Sequence, residues 1–547
     1  MSARKGLGVA TAALAALLAA CGGGGDAGAG GGGAAADVGQ PVNGGTAIIA
    51  VKSDFDAFNP LTSTALTTQD IIKDMLFTPL IRYDEKLNPQ PYLAERWELS
   101  DTAVVFHLRN DVKWHDGQPV TAEDVKFTFD LAKNKEAASA LESVYLGMVK
   151  SATVVDAHTI RFGFTAPHAQ PLDDFWWAPV PKHVLQATAP ATLAQAPFNR
   201  QPVGSGPFKL ERWQAGQQAV FVANPDFPAA LGGRPRLDRV VFRIIAEPIT
   251  RMSELQSSGI DVNYSVQPDQ ANGLKNQQAI RVFHYPSREF TYIGWNATRP
   301  MFADARVRRA LTMAIDRQGL ISRLMFGYAK PGGSLIPAIS PMNPGLPPEP
   351  FDPAGAKALL AQAGYTDTNG DGIVEKGGQP LRFNLMTSAA NKLFVDAATI
   401  IQQQLRAVGV DAQIQTQEFQ SMLRAHKARE YDGVITNWTW DYFKADPTPL
   451  FSCAEAQKKA SANRTGYCSP QADALMQRGV RSTDPAQARA VWGDFSRLMQ
   501  QEQPVTVLFW AEEVAGVGPR LQGVTMDARS KLASVTQWWI PARMQKH

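Results

Sequence analysis

The chain is poor in the residues that metal and redox chemistry use. It has three cysteines and eight histidines in 547 residues. The histidines are scattered, with no HExxH pair and no cluster, so a zinc hydrolase finds no support. His115, in Trp114-His115-Asp116-Gly117, reads as a strand-end residue rather than a ligand. A Gly-x-Ser-x-Gly elbow is also missing, as is a convincing Ser/His/Asp or Cys/His set for nucleophilic catalysis. Gly204-Ser205-Gly206-Pro207 lacks the lysine and the spacing of a phosphate loop and reads as a chain reversal. Carboxylate pairs are too common among 51 acidic residues to argue for a glycosidase. Basic blocks are absent too: 54 Lys+Arg stand against 51 Asp+Glu without an Arg/Lys stripe, which argues against a nucleic-acid partner. Beyond the first twenty-odd positions no run is long and apolar enough to cross a bilayer. No cofactor is implied.

What is present begins with an address. Arg4 and Lys5 precede an uncharged Ala/Leu-rich stretch, Gly6 to Ala20, which ends in Leu18-Ala19-Ala20-Cys21. A positive start, a short apolar core and small residues before a cut site define a secretory signal. The apolar stretch falls short of the ~20 residues that span a membrane. The Leu-Ala-Ala-Cys ending resembles a bacterial lipobox, which makes Cys21 the expected lipid attachment point. An ordinary signal peptide with a chance cysteine is the plainer alternative. Residues 22–40 are nearly all Gly and Ala and bury too little apolar surface to offset the entropy of ordering them, so a flexible tether is expected.

The remainder, about five hundred residues, is too long for one small domain and suggests two or three packed lobes. Alternating or apolar runs at 46–51, 104–108, 160–164 and 240–245 read as strands. Thr121 opens a helix with Asp124 three residues on, the capping arrangement. Asp304 and Asp352-Pro353 start further helices, and Gly364 and Gly409 end the second and a third that carries Leu393 to Val408. Strands are expected at 381–386, 410–414 and 433–436. This rhythm implies an α/β fold, with sheets covered by helices.

Three groups of residues invite a functional reading. If Cys21 carries lipid, Cys453 and Cys468 remain as an even pair, and an exported chain favours a disulfide over free thiols. Closing that loop stabilises by about 3 kcal/mol on the chain-entropy model. Asp367-Thr368-Asn369-Gly370-Asp371-Gly372 matches the opening of a calcium loop, but Gly378 stands where the bidentate glutamate belongs, although Glu375 is near enough to contribute. A tight Asx/Gly connection with no metal is the plainer reading. Finally, Trp438-Thr439-Trp440-Asp441-Tyr442 follows the 433–436 run and should lie in a loop at a strand's end, where clefts of α/β lobes commonly sit. A carboxylate among three rings suits an ammonium group; an aromatic surface cluster with a solvated Asp441 is the alternative.

Several segments together resemble the family 5 solute-binding proteins, the dipeptide- and oligopeptide-binding components of ABC importers. The densest runs from Leu76 to Asp130, LFTPLIRYDEKLNPQPYLAERWELSDTAVVFHLRNDVKWHDGQPVTAEDVKFTFD. PVGSGPFKLERW (202–213), VRRALTMAID (307–316), AQAGYTDTNGDGIVE (361–375), NWTWDY (437–442), FSCAEAQ (451–457) and NRTGYC (463–468) follow in the family's order.

The resemblance implies a two-lobed periplasmic-binding-protein type II fold of the large peptide-binding class. Lobe I would comprise residues 41–290 and 509–547, with an extra subdomain at about 85–200, and lobe II residues 291–508. A short peptide would be buried between lobes that close by hinge motion and then passed unchanged to ABC permease subunits. Asp441 would pair with the peptide's α-ammonium, Trp438 and Trp440 would wall the cleft, and Thr64 would contribute from lobe I. Ser388 stands where dipeptide binders carry an arginine for the ligand carboxylate, a departure that leaves room for longer peptides or another solute. The cysteine pair matches a bridge in dipeptide-type relatives. The same fold also carries oligosaccharides, nickel chelates and haem. A secreted hydrolase is the rival of another class. The expected setting is the extracytoplasmic, periplasmic face of the envelope, as a lipid-anchored monomer.

Overall fold

The computed structural model describes residues 39–274, 279–440, 446–458 and 461–545. One eleven-stranded sheet organises them. Its strands lie in the order Asp411–Gln417, Arg382–Ser388, Gly433–Thr439, Arg281–Trp295, Val505–Val517, Val262–Asn263, Thr46–Val51, Arg239–Ile244, Gln218–Ala223 and Phe208–Gln214, with Ala329–Lys330 paired to Val505–Val517 off that path. Sequence neighbours are mostly not sheet neighbours. Thr46–Val51 pairs in parallel with Arg239–Ile244, and Arg382–Ser388 in parallel with Asp411–Gln417.

Two strands are much longer than the rest, Arg281–Trp295 and Val505–Val517, and they pair antiparallel with each other. Their far ends belong to different hydrophobic cores. Ala515 and Val517 join a core built from residues between Ala47 and Tyr264 together with Leu521 to Ile540. Ile293, Trp295, Leu508 and Phe509 join a second core whose other members lie between Phe302 and Ile435. A third, around Phe290, Trp440, Trp492 and Trp510, packs beside it. Each fully buried Phe or Leu contributes roughly 1.5–3 kcal/mol by leaving water, and the two long strands connect the cores. This is the mixed α/β, two-lobed architecture.

A separate four-stranded antiparallel sheet, ordered Ala94–Ser100, Ala103–Leu108, Thr159–Phe164 and Val149–Asp156, carries the helix Ala122–Lys133. That helix begins with the capping box read from Thr121 and Asp124: the Asp124 carboxylate accepts from the Thr121 N–H at 2.9 Å. Its Phe129 meets Phe162 with ring centroids 5.8 Å apart. Asp304 and Asp352 also cap their helices by accepting backbone N–H groups, and Gly364 and Gly409 take the positive φ values that end theirs.

The strand expected at 433–436 is longer than its apolar run. It continues to Thr439, because Trp438 and Thr439 pair with Phe290 and Glu289 of the long strand, and the Trp440 N–H then donates to the Arg288 carbonyl at 3.0 Å. Trp438 and Thr439 therefore stand in the sheet, not in a loop. Among the described residues, no helix is long and apolar enough to cross a membrane.

Candidate functional site

The pairing between the two long strands is not continuous. Its register shifts between Pro286 and Phe290, so Ser287, Arg288 and Glu289 leave the ladder where the strands pass from one core towards the other. Those three residues line a cavity of about 350 Å³. The helix Leu66–Ile71 brings Asp70 to it, the short strand Val262–Asn263 delivers Tyr264, the second long strand supplies Glu513, and the C-terminal segment supplies Arg529 and Lys531. Residues far apart in the chain thus converge on the place where the pairing of the two long strands slips.

Electrostatics give the cavity its character. Four basic side chains (Lys52, Arg288, Arg529 and Lys531) and four acidic ones (Asp54, Asp70, Glu289 and Glu513) line it. Lys531 Nζ lies 2.6 Å from Glu513 Oε2, and that positive charge is the leading cause holding the Glu513 carboxyl below the usual range. The same ammonium sits 4.6 Å from the centroid of the Tyr264 ring. Tyr264 in turn donates to Asp70 Oδ2 at 2.5 Å. Burial is the largest influence on Asp70 and pushes its carboxyl up, against the Tyr264 hydrogen bond and the charges of Arg288, Lys531 and Lys73. Glu289 is also pushed up by burial; its Oε2 accepts from Asn437 Nδ2 at 2.7 Å and from Thr439 Oγ1 at 3.2 Å. Neutral donors hydrogen-bond both Asp70 and Glu289, and a cationic guest beside either would favour its charged form against the effect of burial.

A pocket of this size with both signs of charge suits a zwitterion, whose ammonium and carboxylate find opposite partners. Histidine and cysteine are not among the described residues that line it. Its geometry offers orientation and desolvation of a guest.

The residues singled out from the sequence fall around this cavity more than on it. Asp441 and Cys21 lie outside the described residues. Thr439, two positions before Asp441, lines the cavity. Trp438 is half-buried, packs on the third core, and faces Arg464, whose guanidinium carbon is 5.7 Å from its ring. Trp440 is a buried member of that core, and its indole nitrogen has no hydrogen-bond partner among the described residues. Thr64 is exposed; its N–H donates to Asp56 Oδ2 at 2.6 Å, just before Ala65 to Thr68, which do line the cavity. Ser388 is buried at the end of its strand, away from the lining. Cys453 and Cys468 are joined by a disulfide. Asp367, Asn369 and Asp371 are exposed in the loop before the short strand Glu375–Lys376.

Sequence reasoning missed Asp70, Tyr264, Glu289, Glu513 and Lys531. Ser287-Arg288-Glu289, three polar residues inside an otherwise strand-like run, were the one local signal available.

Comparison with known proteins gives this geometry a context. Residues 88–459 match the family described as bacterial extracellular solute-binding proteins, family 5 Middle. The oligopeptide-binding protein AppA of Bacillus subtilis (strain 168) is 29% identical over 514 residues, covering 92% of this chain and 93% of that protein. Its structure in complex with a nonapeptide superposes with a TM-score of 0.75 at 28% identity, over 92% of this chain and 100% of that one. The dipeptide-binding protein of Escherichia coli (strain K12) is 27% identical over 526 residues, covering 90% of this chain and 94% of its own length. NikZ of Campylobacter jejuni, solved in complex with Ni(L-His), superposes with a TM-score of 0.74 at 25% identity, over 90% of this chain and 99% of that one.

Proposed function

The chain belongs to the bacterial extracellular solute-binding proteins of family 5, and from that premise we propose that it is the receptor of an ABC importer that captures a short peptide and delivers it to a permease without changing it chemically. The observation that carries this reading is the cavity at the slip in the long strands, which presents half-buried carboxylates and basic groups together. Two relatives named for oligopeptides and dipeptides, each matched along nine-tenths of this chain or more, support the choice of cargo.

In this reading lobe I is residues 41–290 and 509–547, with its subdomain at about 85–200, and lobe II is residues 291–508. The slip at Ser287–Glu289 acts as the hinge, because these three residues leave the ladder between the two long strands, which lowers the number of sheet hydrogen bonds that resist bending there. Asp441 pairs with the peptide's α-ammonium from lobe II; the position of Thr439 on the cavity lining supports this. The peptide's backbone hydrogen-bonds to both lobes as an added strand would, so side-chain identity is tolerated. Cys21 carries the lipid that anchors the monomer at the extracytoplasmic face, and the Gly/Ala segment is its tether.

A second reading keeps the fold and changes the cargo to a metal–amino-acid chelate. The likeness to NikZ favours it, since such a chelate also presents charged amine and carboxylate groups. Mass spectrometry of the ligand released from natively purified protein separates the two. Peptides in near-stoichiometric amount are expected; a metal chelate or a sugar in their place would overturn the peptide reading.

A further inference from the structure

We propose that Asp367, Asn369, Asp371 and Glu375 form a calcium site, remote from the cavity, that fastens the loop between the helix Pro353–Gln362 and the strand Arg382–Ser388. Carboxylate oxygens of Asp367, Asp371 and Glu375 lie within 4.8 Å of one another, so three formal negative charges converge on one small volume. Exposed acids do this often without consequence. Glu375 is different, because it is only 6% exposed. Its Oε2 accepts from the Thr368 N–H at 2.9 Å and from Thr368 Oγ1 at 3.1 Å, but its Oε1 is buried with no hydrogen-bond partner among the described residues. A carboxylate oxygen shut away from water with no donor is strongly unfavourable unless a cation meets it.

Neighbouring cations do not supply that partner. Lys376 directs its ammonium to the Tyr365 ring, 5.6 Å from the centroid. Arg406 Nη2 donates to the backbone carbonyl of Asp371 at 3.3 Å, not to a carboxylate. Meanwhile the loop fixes its own oxygens. Asp367 Oδ1 and Oδ2 accept from the N–H groups of Gly370 and Gly372 at 2.8 and 3.1 Å, and Asp371 Oδ1 accepts from Ile373 at 2.7 Å. Each of these oxygens keeps a lone pair for an ion.

The donor set selects the metal. All candidate ligands are oxygens, three of them carboxylates, which suits a hard cation and disfavours zinc. Positions one, three and five of a calcium loop are filled, and the acid normally at position twelve is replaced by Glu375 at position nine. A site with fewer carboxylate oxygens than a full loop binds weakly, in the range about 10⁻⁴–10⁻³ M that extracellular modules use. The site also reaches the next helix: the Val374 N–H donates to the carbonyl of Gly409 at 2.8 Å, just past Lys392–Arg406. None of the four residues lines the cavity, so calcium and solute would share no ligand.

The test is calorimetric titration of calcium into chelator-treated full-length protein, paired with thermal melts. Binding of one ion with a Kd of about 10⁻⁴–10⁻³ M and a rise in Tm of roughly 2–4 °C at saturation are expected. Magnesium, which demands a tighter octahedral shell, should give a clearly smaller rise. Glu375→Gln and, separately, the exposed Asp371→Asn should each weaken calcium at least about tenfold; the second variant keeps the test valid if the first folds poorly. Absence of binding in the wild type up to about 10 mM calcium, an affinity in both variants equal to that of the wild type, or an equal response to magnesium would overturn the assignment.

Discussion

The Tyr264 hydroxyl donates a 2.5 Å hydrogen bond to Asp70 Oδ2, joining residues 194 positions apart among those that line the cavity. Lys531 extends the connection, lying over the Tyr264 ring and paired with Glu513. Four side chains from four segments thus form one electrostatic unit, and its balance determines what the cavity can accept.

That balance has a pH signature. Asp74 stands one helical turn after Asp70, with its Oδ2 buried and without a partner among the described residues. Its carboxyl is pushed up to about 7, first by burial and then by the charge of Asp70, against Ser530, Lys73 and Arg529. Because the folded value lies above the ordinary 3.8, the folded protein keeps this proton where the unfolded chain has lost it. The resulting stabilisation is complete below the ordinary value and is lost as pH rises through about 7. Asp74→Asn, a neutral mimic that ionises in neither state, should raise stability already at about pH 5, where the unfolded carboxyl has lost its proton, and by roughly 2–3 kcal/mol more at about pH 8. Denaturant melts at the two pH values check this; an equal effect at both would contradict it.

Arg520 ties the two ends of the chain together. It donates through Nε and Nη2 to both oxygens of Asp261, the second at 2.7 Å, and Nη2 also donates to the Thr46 carbonyl at 2.9 Å. Both charged side chains are almost fully buried. Arg520→Ala removes the two-pronged guanidinium contact from the buried Asp261 and should destabilise by about 3–5 kcal/mol. Equilibrium unfolding in urea measures this, and a loss below about 1 kcal/mol would show that the pair is not structural.

The disulfide offers an independent check on the second lobe. Replacing Cys453 and Cys468 with serine together should lower stability by about 2–4 kcal/mol, because the unfolded chain regains the freedom of that loop. Reductant should lower the Tm of the wild type towards that of the double variant and leave the variant unchanged. A reductant effect of equal size in both proteins would remove the bridge from the account.

Local features were legible in the sequence and long-range ones were not. Thr121 with Asp124, Asp304, Asp352, Gly364 and Gly409 marked helix ends correctly, since a cap is satisfied within one turn of its own residue. The strand ending at Thr439 was cut short, because Asn437 to Thr439 are carried into the sheet by Glu289 and Phe290, about 150 residues away, rather than by an apolar pattern of their own. Trp440 shows the same limit. Its neighbours suggested a cleft wall, yet contacts with distant segments place it in a core. The cavity could not be read at all from spacing: Asp70, Tyr264, Glu289, Glu513 and Lys531 share no motif and meet only because the sheet order is far from the chain order.

The central claim is that the space between the lobes takes a peptide by its charged amine. Calorimetric titration of ligand-free wild type and the Asp441→Asn protein, each with a short peptide and its N-acetylated form, tests it most directly. The wild type should bind the free amine one to one, and acetylation or substitution should each cost about 2–5 kcal/mol, with little further loss when both are present. Equal affinity of the wild type for the free and acetylated peptides, or no binding of either, would contradict the account.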